Sequence, residues 1–215
     1  MMIVVHHLEN SRSQRVLWLL EELRLPYEVK RYERNKATML APPELRRIHP
    51  LGKSPVIEDG NAGSSGGPLV VAETGAIVEY LVERADGRLG TPAHRRAALH
   101  YRHFLHYAEG SLMPPLLVKL VLGRVPLLGK AAQKKIQPMI DVHLDYVESH
   151  LAANEWFAGD EMTAADIMMS FPLEAARSRA GLDASRSRTI AWLDRIHARP
   201  AYQAALKAGG TYAYA

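Results

Sequence analysis

His49-Pro50-Leu51-Gly52-Lys53-Ser54-Pro55-Val56-Ile57, residues 49–57, is the stretch on which the fold turns. Gly52-Lys53-Ser54 invites a phosphate-loop reading. That loop needs its first glycine at position 47, which is Arg47, and a helix after the Lys-Ser pair. Pro55-Val56-Ile57 instead opens a short strand, and Ser54-Pro55 at its entrance suits a tight turn, for which a cis bond is one option. Such a bond turns the Ser54 N–H and C=O toward a ligand backbone and away from a strand ladder. Downstream, Leu69-Val70-Val71-Ala72 reads as a second strand, after a Gly/Ser-rich turn whose low-complexity run is Gly63-Ser64-Ser65-Gly66-Gly67. Ile77 to Val82 then returns to helical spacing. Upstream, Ile3-Val4-Val5 opens as a buried strand, Val16 to Leu23 reads as a helix, Tyr27-Glu28-Val29 alternates like a strand, and 43–49 forms a short helix. The order βαβ, α, ββα is a small α/β unit.

Past a Gly/Pro-containing linker at 86–91 the strand signals stop. Residues 93–121, 130–153, 164–179, 185–198 and 201–208 all read as helices, with breaks at Pro114-Pro115, 123–129, Gly159-Asp160 and Pro200. The expected organisation is an α/β domain over 1–85, a linker, and an all-α domain over 92–215. Within the first domain, Val16, Leu17, Trp18, Leu19, Leu20 and Leu23 leave helix one almost no polar face, so it must be covered on two sides. The sheet supplies one cover and the all-α domain is the expected source of the other. That arrangement sets the start of helix one beside an interdomain cleft, where ligand sites are common.

The chain has 215 residues and no cysteine. Disulfides, thiolate metal sites, iron–sulfur clusters, Cys-x-x-Cys redox chemistry and a cysteine nucleophile are thereby excluded. A thiol-free chain is compatible with the cytoplasm. The start MMIVVHH carries no basic n-region, and no apolar run approaches about 18 residues, so neither a signal peptide nor a membrane span is expected. The formal net charge of +4 is spread along the sequence. Its densest patches, 93–96, 130–135 and 177–188, lack the interleaved aromatics of a base-stacking platform, so they read as solvated helix faces and not as a nucleic-acid surface.

Three segments carry candidate chemistry. Asn10-Ser11-Arg12-Ser13-Gln14-Arg15 lies between strand one and helix one, and Ser11-x-x-Gln14 fits a capping box, with Asn10 an equally good cap. A helix start behind a strand gathers free N–H groups and the positive dipole end; it suits an anion and eases ionisation of a thiol placed there. Lys53-Ser54-Pro55 is the second segment. In the third, Glu73-Thr74-Gly75-Ala76-Ile77, Glu73 offers a carboxylate to an ammonium group and Thr74 a hydroxyl to a carboxylate at the next helix start. Each of these segments taken singly is also ordinary helix or turn chemistry.

Taken together and in order, the segments resemble the glutathione S-transferase superfamily. The carrying motifs are Ser-x-Ser-Gln-Arg-Val-Leu-Trp-Leu-Leu-Glu-Glu-Leu (11–23), His-Pro-Leu-Gly-Lys-Ser-Pro-Val-Ile (49–57), Glu-Thr-Gly-Ala-Ile-Val-Glu-Tyr-Leu (73–81) and Phe-Ala-Gly-Asp-Glu-Met-Thr-Ala-Ala-Asp (157–166). With Ala-Pro-Pro-Glu-Leu (41–45), they look most like the fungal and bacterial subgroup typified by yeast transferase I. The resemblance implies a thioredoxin-like N-terminal domain, an all-helical C-terminal domain, glutathione as co-substrate, no metal and a homodimer. It makes Pro55 the cis-proline, with Ser54 and Val56 alongside the cysteinyl part of glutathione. Glu73 and Thr74 then hold the γ-glutamyl end, and Lys53 the glycine carboxylate. A donor in the first segment stabilises the thiolate, which attacks a hydrophobic electrophile bound against the helical domain.

The first segment departs from the family pattern. Asn10 stands where serine-type members carry the catalytic hydroxyl, Ser11 follows one residue later, and neither the tyrosine nor the cysteine of other classes is present. Ser11 is the favoured donor, Asn10 and the helix N–H groups the alternatives, and Ser11→Ala is expected to lower conjugation tenfold or more. Tyr107, His103 and Met113 are the expected electrophile contacts. His100, His103 and His106 drift around their helix and make an awkward metal site. His6 and His7 read as strand-end residues without chemistry, and Thr163-x-x-Asp166 as a capping box that serves folding. Tyr212 and Tyr214 read as a cleft cover or a frayed tail. Glutathione-dependent peroxide or disulfide reduction, and a glutathione-fold binding or regulatory protein without turnover, are the alternative functions.

Overall fold

The computed structural model describes residues 2–62 and 67–215; of the Gly/Ser run at 63–67, all but Gly67 lies outside them. In chain order the elements are β1 (Ile3–Leu8), α1 (Ser13–Leu23), β2 (Tyr27–Tyr32), β3 (Val56–Asp59), β4 (Leu69–Ala72), α2 (Thr74–Arg84), α3 (Arg95–Tyr107), α4 (Met113–Leu122), α5 (Gly129–Ala153), α6 (Ala164–Arg179), α7 (Ser187–His197) and α8 (Pro200–Gly209). The strands form one sheet in the order β2-β1-β3-β4. β2 is parallel to β1 because α1 carries the chain across, whereas β3 and β4 add antiparallel. Ile-Val-Val-His-His-Leu shows no polar alternation, and β1 accordingly runs through the middle of the sheet with all but Val4 buried. The short helix expected at 43–49 is a 3-10 turn, Pro43–Arg47, that buries Leu45.

Compact packing divides the chain into two units. The first is Met1–Gly90 with Ala198–Ala213 and Ala215; the second is Thr91–His197 with Tyr214. The second cover of α1 comes, as expected, from the helices after residue 92, but the helix that supplies it groups with the first ninety residues and not with the other helices. The cover is α8, from the far end of the chain. The apolar residues Val16 to Leu20 and Leu23 are all completely buried. Trp18 meets Tyr202 of α8 edge-on at 5.3 Å. Arg199 grips both oxygens of Glu22 at 2.5 and 2.9 Å, and the Trp18 indole donates to the same carboxylate at 2.9 Å. Gly209 permits the close approach: a Cβ there would lie 2.6 Å from Gln14 Oε1 and 3.2 Å from His7 Cε1.

The second unit is helical throughout the described residues. Its centre is α6, buried from Ala164 to Ala176. The expected capping box at its start is formed. Asp166 accepts from the Thr163 N–H at 2.9 Å, the Phe157 N–H at 3.1 Å and the Trp192 indole at 3.2 Å, so one carboxylate ties three parts of the unit together. The break expected at Pro114-Pro115 is absent. α3 runs through a π turn, Ala108–Leu112, straight into α4, and the two prolines follow directly on that wider turn. Tyr214 is anchored: its hydroxyl accepts from Arg179 at 3.1 Å and its ring meets Phe171 edge-on at 5.7 Å. No helix of the described residues is long and apolar enough to cross a membrane.

Candidate active site

Strand register brings three of the predicted segments to one end of the sheet. Val56 pairs with His6 on one side and with Ala72 on the other. The entrance of β3, the exit of β1 and the β4–α2 junction are therefore neighbours. The Ser54–Pro55 bond is cis. Ser54 Oγ donates to the His6 carbonyl at 2.8 Å and accepts the Leu8 N–H at 3.2 Å, which ties this entrance to β1. Pro55 and Val56 are buried and Lys53 is exposed. At the junction Glu73 is exposed and holds φ at 72°, a left-handed conformation that few non-glycine residues adopt, while Thr74 is buried behind it. Such strain costs on the order of 1–3 kcal/mol and is concentrated at ligand sites. A cation at position 53 and an anion at position 73 complement a ligand that carries both charges.

The β1–α1 turn is held from two directions. Asn10 has φ 49°. Its carbonyl accepts from Arg34 Nη2 at 3.3 Å, and Arg34 also donates to Glu9 O at 3.2 Å and, through its N–H, to Glu9 Oε1 at 3.0 Å. Asn10 Oδ1 accepts the Ala213 N–H at 2.7 Å. An N–H must face the oxygen of the amide, so this bond fixes the flip and turns the two Nδ2 hydrogens the other way. Nδ2 meets no acceptor among the described residues.

Ser11 faces inward. Its Oγ accepts the Ser13 N–H at 3.2 Å and lies 2.7 Å from Ser13 Oγ, which in turn lies 2.9 Å from His7 Nδ1 and accepts the Leu8 N–H at 3.2 Å. The chain Ser11–Ser13–His7 is buried throughout. Burial, with the charge of Arg31 adding to it, pulls the His7 pKa down to about 4, so the imidazole is neutral at pH 7. The expected Ser11–Gln14 capping box does not close. α1 begins at Ser13, which sends Gln14 toward Gly209, and both Gln14 amide atoms are buried without a partner.

In the helical unit, Leu99, Arg102, His103, His106, Tyr107, Gly110 and Ser111 line an open hollow of about 460 Å³. Tyr107 and His143 Nδ1 share a 2.6 Å hydrogen bond, and Tyr146 and His103 one of 3.0 Å. Burial raises the Tyr107 pKa and lowers those of His103 and His143. Two predicted electrophile contacts thus share a hollow; the third, Met113, is buried and does not line it. Among the described residues no group of three or more His, Asp or Glu could hold a metal ion.

Sequence reasoning missed His7, Ser13 and Ala213. The signal for His7 was its spacing of two from Val5 and four from Ile3, which sets all three on one sheet face. Nothing local to Ala213 pointed to a partner 203 residues away.

A thioredoxin-like four-stranded sheet with a cis-proline entrance, together with an all-helical unit, defines the class of fold. Comparison with known proteins narrows this. The family described as Glutathione S-transferase, N-terminal domain, matches residues 11–84, and Glutathione S-transferase, C-terminal domain, matches residues 113–200. Glutathione S-transferase 3 of Schizosaccharomyces pombe is 37% identical over 82% of this chain and 75% of its own length. Glutathione S-transferase 1 of Saccharomyces cerevisiae is 36% identical over 82% of each. Disulfide-bond oxidoreductase YfcG of Escherichia coli is 29% identical over 96% of each. Among solved structures, a glutathione S-transferase of Actinobacillus pleuropneumoniae matches with TM-score 0.83 and 35% identity over 96% of this chain and 92% of that one. A Pseudomonas fluorescens family member with two glutathiones bound matches with TM-score 0.79 and 25% identity over 95% and 92%. The chain belongs to the glutathione S-transferase superfamily.

Proposed function

We propose that this chain binds glutathione at the β1–α1 turn, stabilises its thiolate and delivers the sulfur to a hydrophobic electrophile. The observation that supports this best is the meeting, at one sheet end, of the cis Ser54–Pro55 entrance, the strained Glu73 and a turn with an unclaimed amide donor. In this reading Ser54 and Val56 offer main-chain groups to the cysteinyl part. Glu73 faces the γ-glutamyl ammonium, Thr74 and the start of α2 face its carboxylate, and Lys53 pairs with the glycine carboxylate. Between the two candidate donors the hydrogen-bond inventory favours Asn10. The Ser11 hydroxyl is engaged inward with Ser13, whereas Asn10 Nδ2 has hydrogens to give. His103 and Tyr107 are the proposed electrophile contacts.

The test is a titration of glutathione thiolate absorbance with the protein, followed by assays against electrophiles, hydroperoxides and mixed disulfides. The expected result is a lowered thiol pKa on binding. Asn10→Ala is expected to lower kcat/KM tenfold or more, about 1.4 kcal/mol of transition-state stabilisation, and Ser11→Ala less than threefold. The reverse pattern would move the donor role to Ser11. A second reading, disulfide reduction with glutathione as reductant, is favoured by the named activity of the E. coli relative and the two glutathiones of the Pseudomonas structure. A mixed disulfide turned over faster than any electrophile would select it. Binding without a lowered thiol pKa would select the non-catalytic alternative.

A homodimer in the cytoplasm completes the proposal. Leu99, Met139, Val142 and Tyr146 expose apolar surface on α3 and α5, which the Tyr146–His103 bond ties together, and a second copy is the proposed cover.

A further inference from the structure

The C-terminal segment beyond α8 ends against the proposed thiolate donor. α8 is held from two sides before the chain leaves it: Arg31 donates to the Ala208 carbonyl through Nε at 3.1 Å and Nη2 at 2.6 Å, and Tyr202 packs on Trp18. The exit is Gly210, with φ 89° and ψ −144°, a conformation open in practice to glycine alone. This reversal carries the next three residues back to the β1–α1 turn, where the Ala213 N–H reaches Asn10 Oδ1 at 2.7 Å. Arg34 reaches the backbone carbonyl of Asn10, and the Ala213 N–H is the group that reaches its amide oxygen. The amide therefore has one fixed orientation only while Ala213 is in place.

We propose that the C-terminal tail is a positioning element of the glutathione site: the Ala213 N–H, delivered by the Gly210 turn, locks the Asn10 amide with its Nδ2 hydrogens facing outward to the sulfur. The inference rests on the transferase reading and on Asn10 as donor, and adds to them the main chain of a residue 203 positions away. Without the lock the amide is free to present its oxygen to the sulfur in place of its hydrogens. A lone pair facing a thiolate repels it, so part of the bound population loses its donor.

Ala213→Pro removes the N–H and leaves the carbonyl and the rest of the tail chemistry in place. It is expected to raise the pKa of bound glutathione thiol by about one unit and to lower kcat about tenfold, with KM for glutathione changed less than twofold. A merely structural role would not move the thiol pKa while sparing KM. In an Asn10→Ala background, Ala213→Pro is expected to have no further effect, because the group it orients is gone. A second, ligand-free measurement separates this inference from the reading beneath it. The Ala213 amide proton should be protected from exchange in the wild type and unprotected in Asn10→Ala. If the wild type leaves the glutathione thiol pKa unchanged, the transferase reading fails whatever the exchange shows, and this inference with it. A lowered wild-type thiol pKa with a freely exchanging Ala213 amide, an unchanged thiol pKa in Ala213→Pro, or full additivity with Asn10→Ala overturns the tail's role alone.

Discussion

At the scale of single residues, the β1–α1 turn is a problem in hydrogen-bond supply. Ser13 Oγ stands among the Ser11 hydroxyl, His7 Nδ1 and both main-chain groups of Leu8, and a neutral imidazole can either accept from it or donate to it. Neutrality has a cost in acid. The His7 imidazole titrates near 6.5 when unfolded and near 4 when folded. Between those values the unfolded chain binds more protons, so stability falls as pH drops through 6.5 and the loss is complete below 4. A shift of this size corresponds to on the order of 3 kcal/mol. Urea unfolding of the wild type and of His7→Leu, compared at pH 7 and pH 4, should give the variant the flatter pH dependence by about that amount. The difference isolates His7 from His150, whose lowered pKa acts in the same direction. Identical slopes would mean that folding leaves the His7 pKa unshifted. The residue types at 10–13 were legible as a cap or an anion site. Which atom of Asn10 faces out was not, because the donor that orients it comes from residue 213.

At the scale of elements, local patterning read well wherever burial and capping agreed. β4 spans the four apolar residues read as a strand, although none of them is buried, and α6 starts at the Thr163 cap and covers the 164–179 read as its helix. Asp166 shows why that signature matters. Burial pushes its pKa up to about 6, against the pull of the Thr163, Phe157 and Trp192 donors. Asp166→Ala leaves three buried N–H groups without an acceptor and should destabilise the protein by on the order of 3–5 kcal/mol in chemical denaturation. A loss under 1 kcal/mol would show that water replaces the carboxylate. Pro114-Pro115 misled for a physical reason: the π turn just before them changes the hydrogen-bond pattern, so the helical run continues where an unbroken α-helix would be interrupted. Gln14 misled because α1 starts one position too late for it to reach back to Ser11, and α8 lies over it.

For the whole molecule, the exposed apolar faces of α3 and α5 carry the prediction. The wild type should sediment at twice the chain mass, and Val142→Glu, which sets a charge on a side chain 69% exposed in the single chain, should sediment at the chain mass with its thermal midpoint little changed. A wild-type monomer would remove the proposed dimer. The sequence by itself determined the class of fold, because strand alternation, helix periodicity and turn residues act over a few positions, and its ordered motifs carried the family resemblance that implies a cis-proline at 55. Tertiary structure alone decided that α8 and the chain up to Ala213 belong with the first ninety residues, that His7 joins Ser13, and that the Ala213 N–H meets the Asn10 amide. Those are pairings between distant parts of the chain, chosen by which surfaces fit once the elements exist, and no short stretch of residues contains both partners.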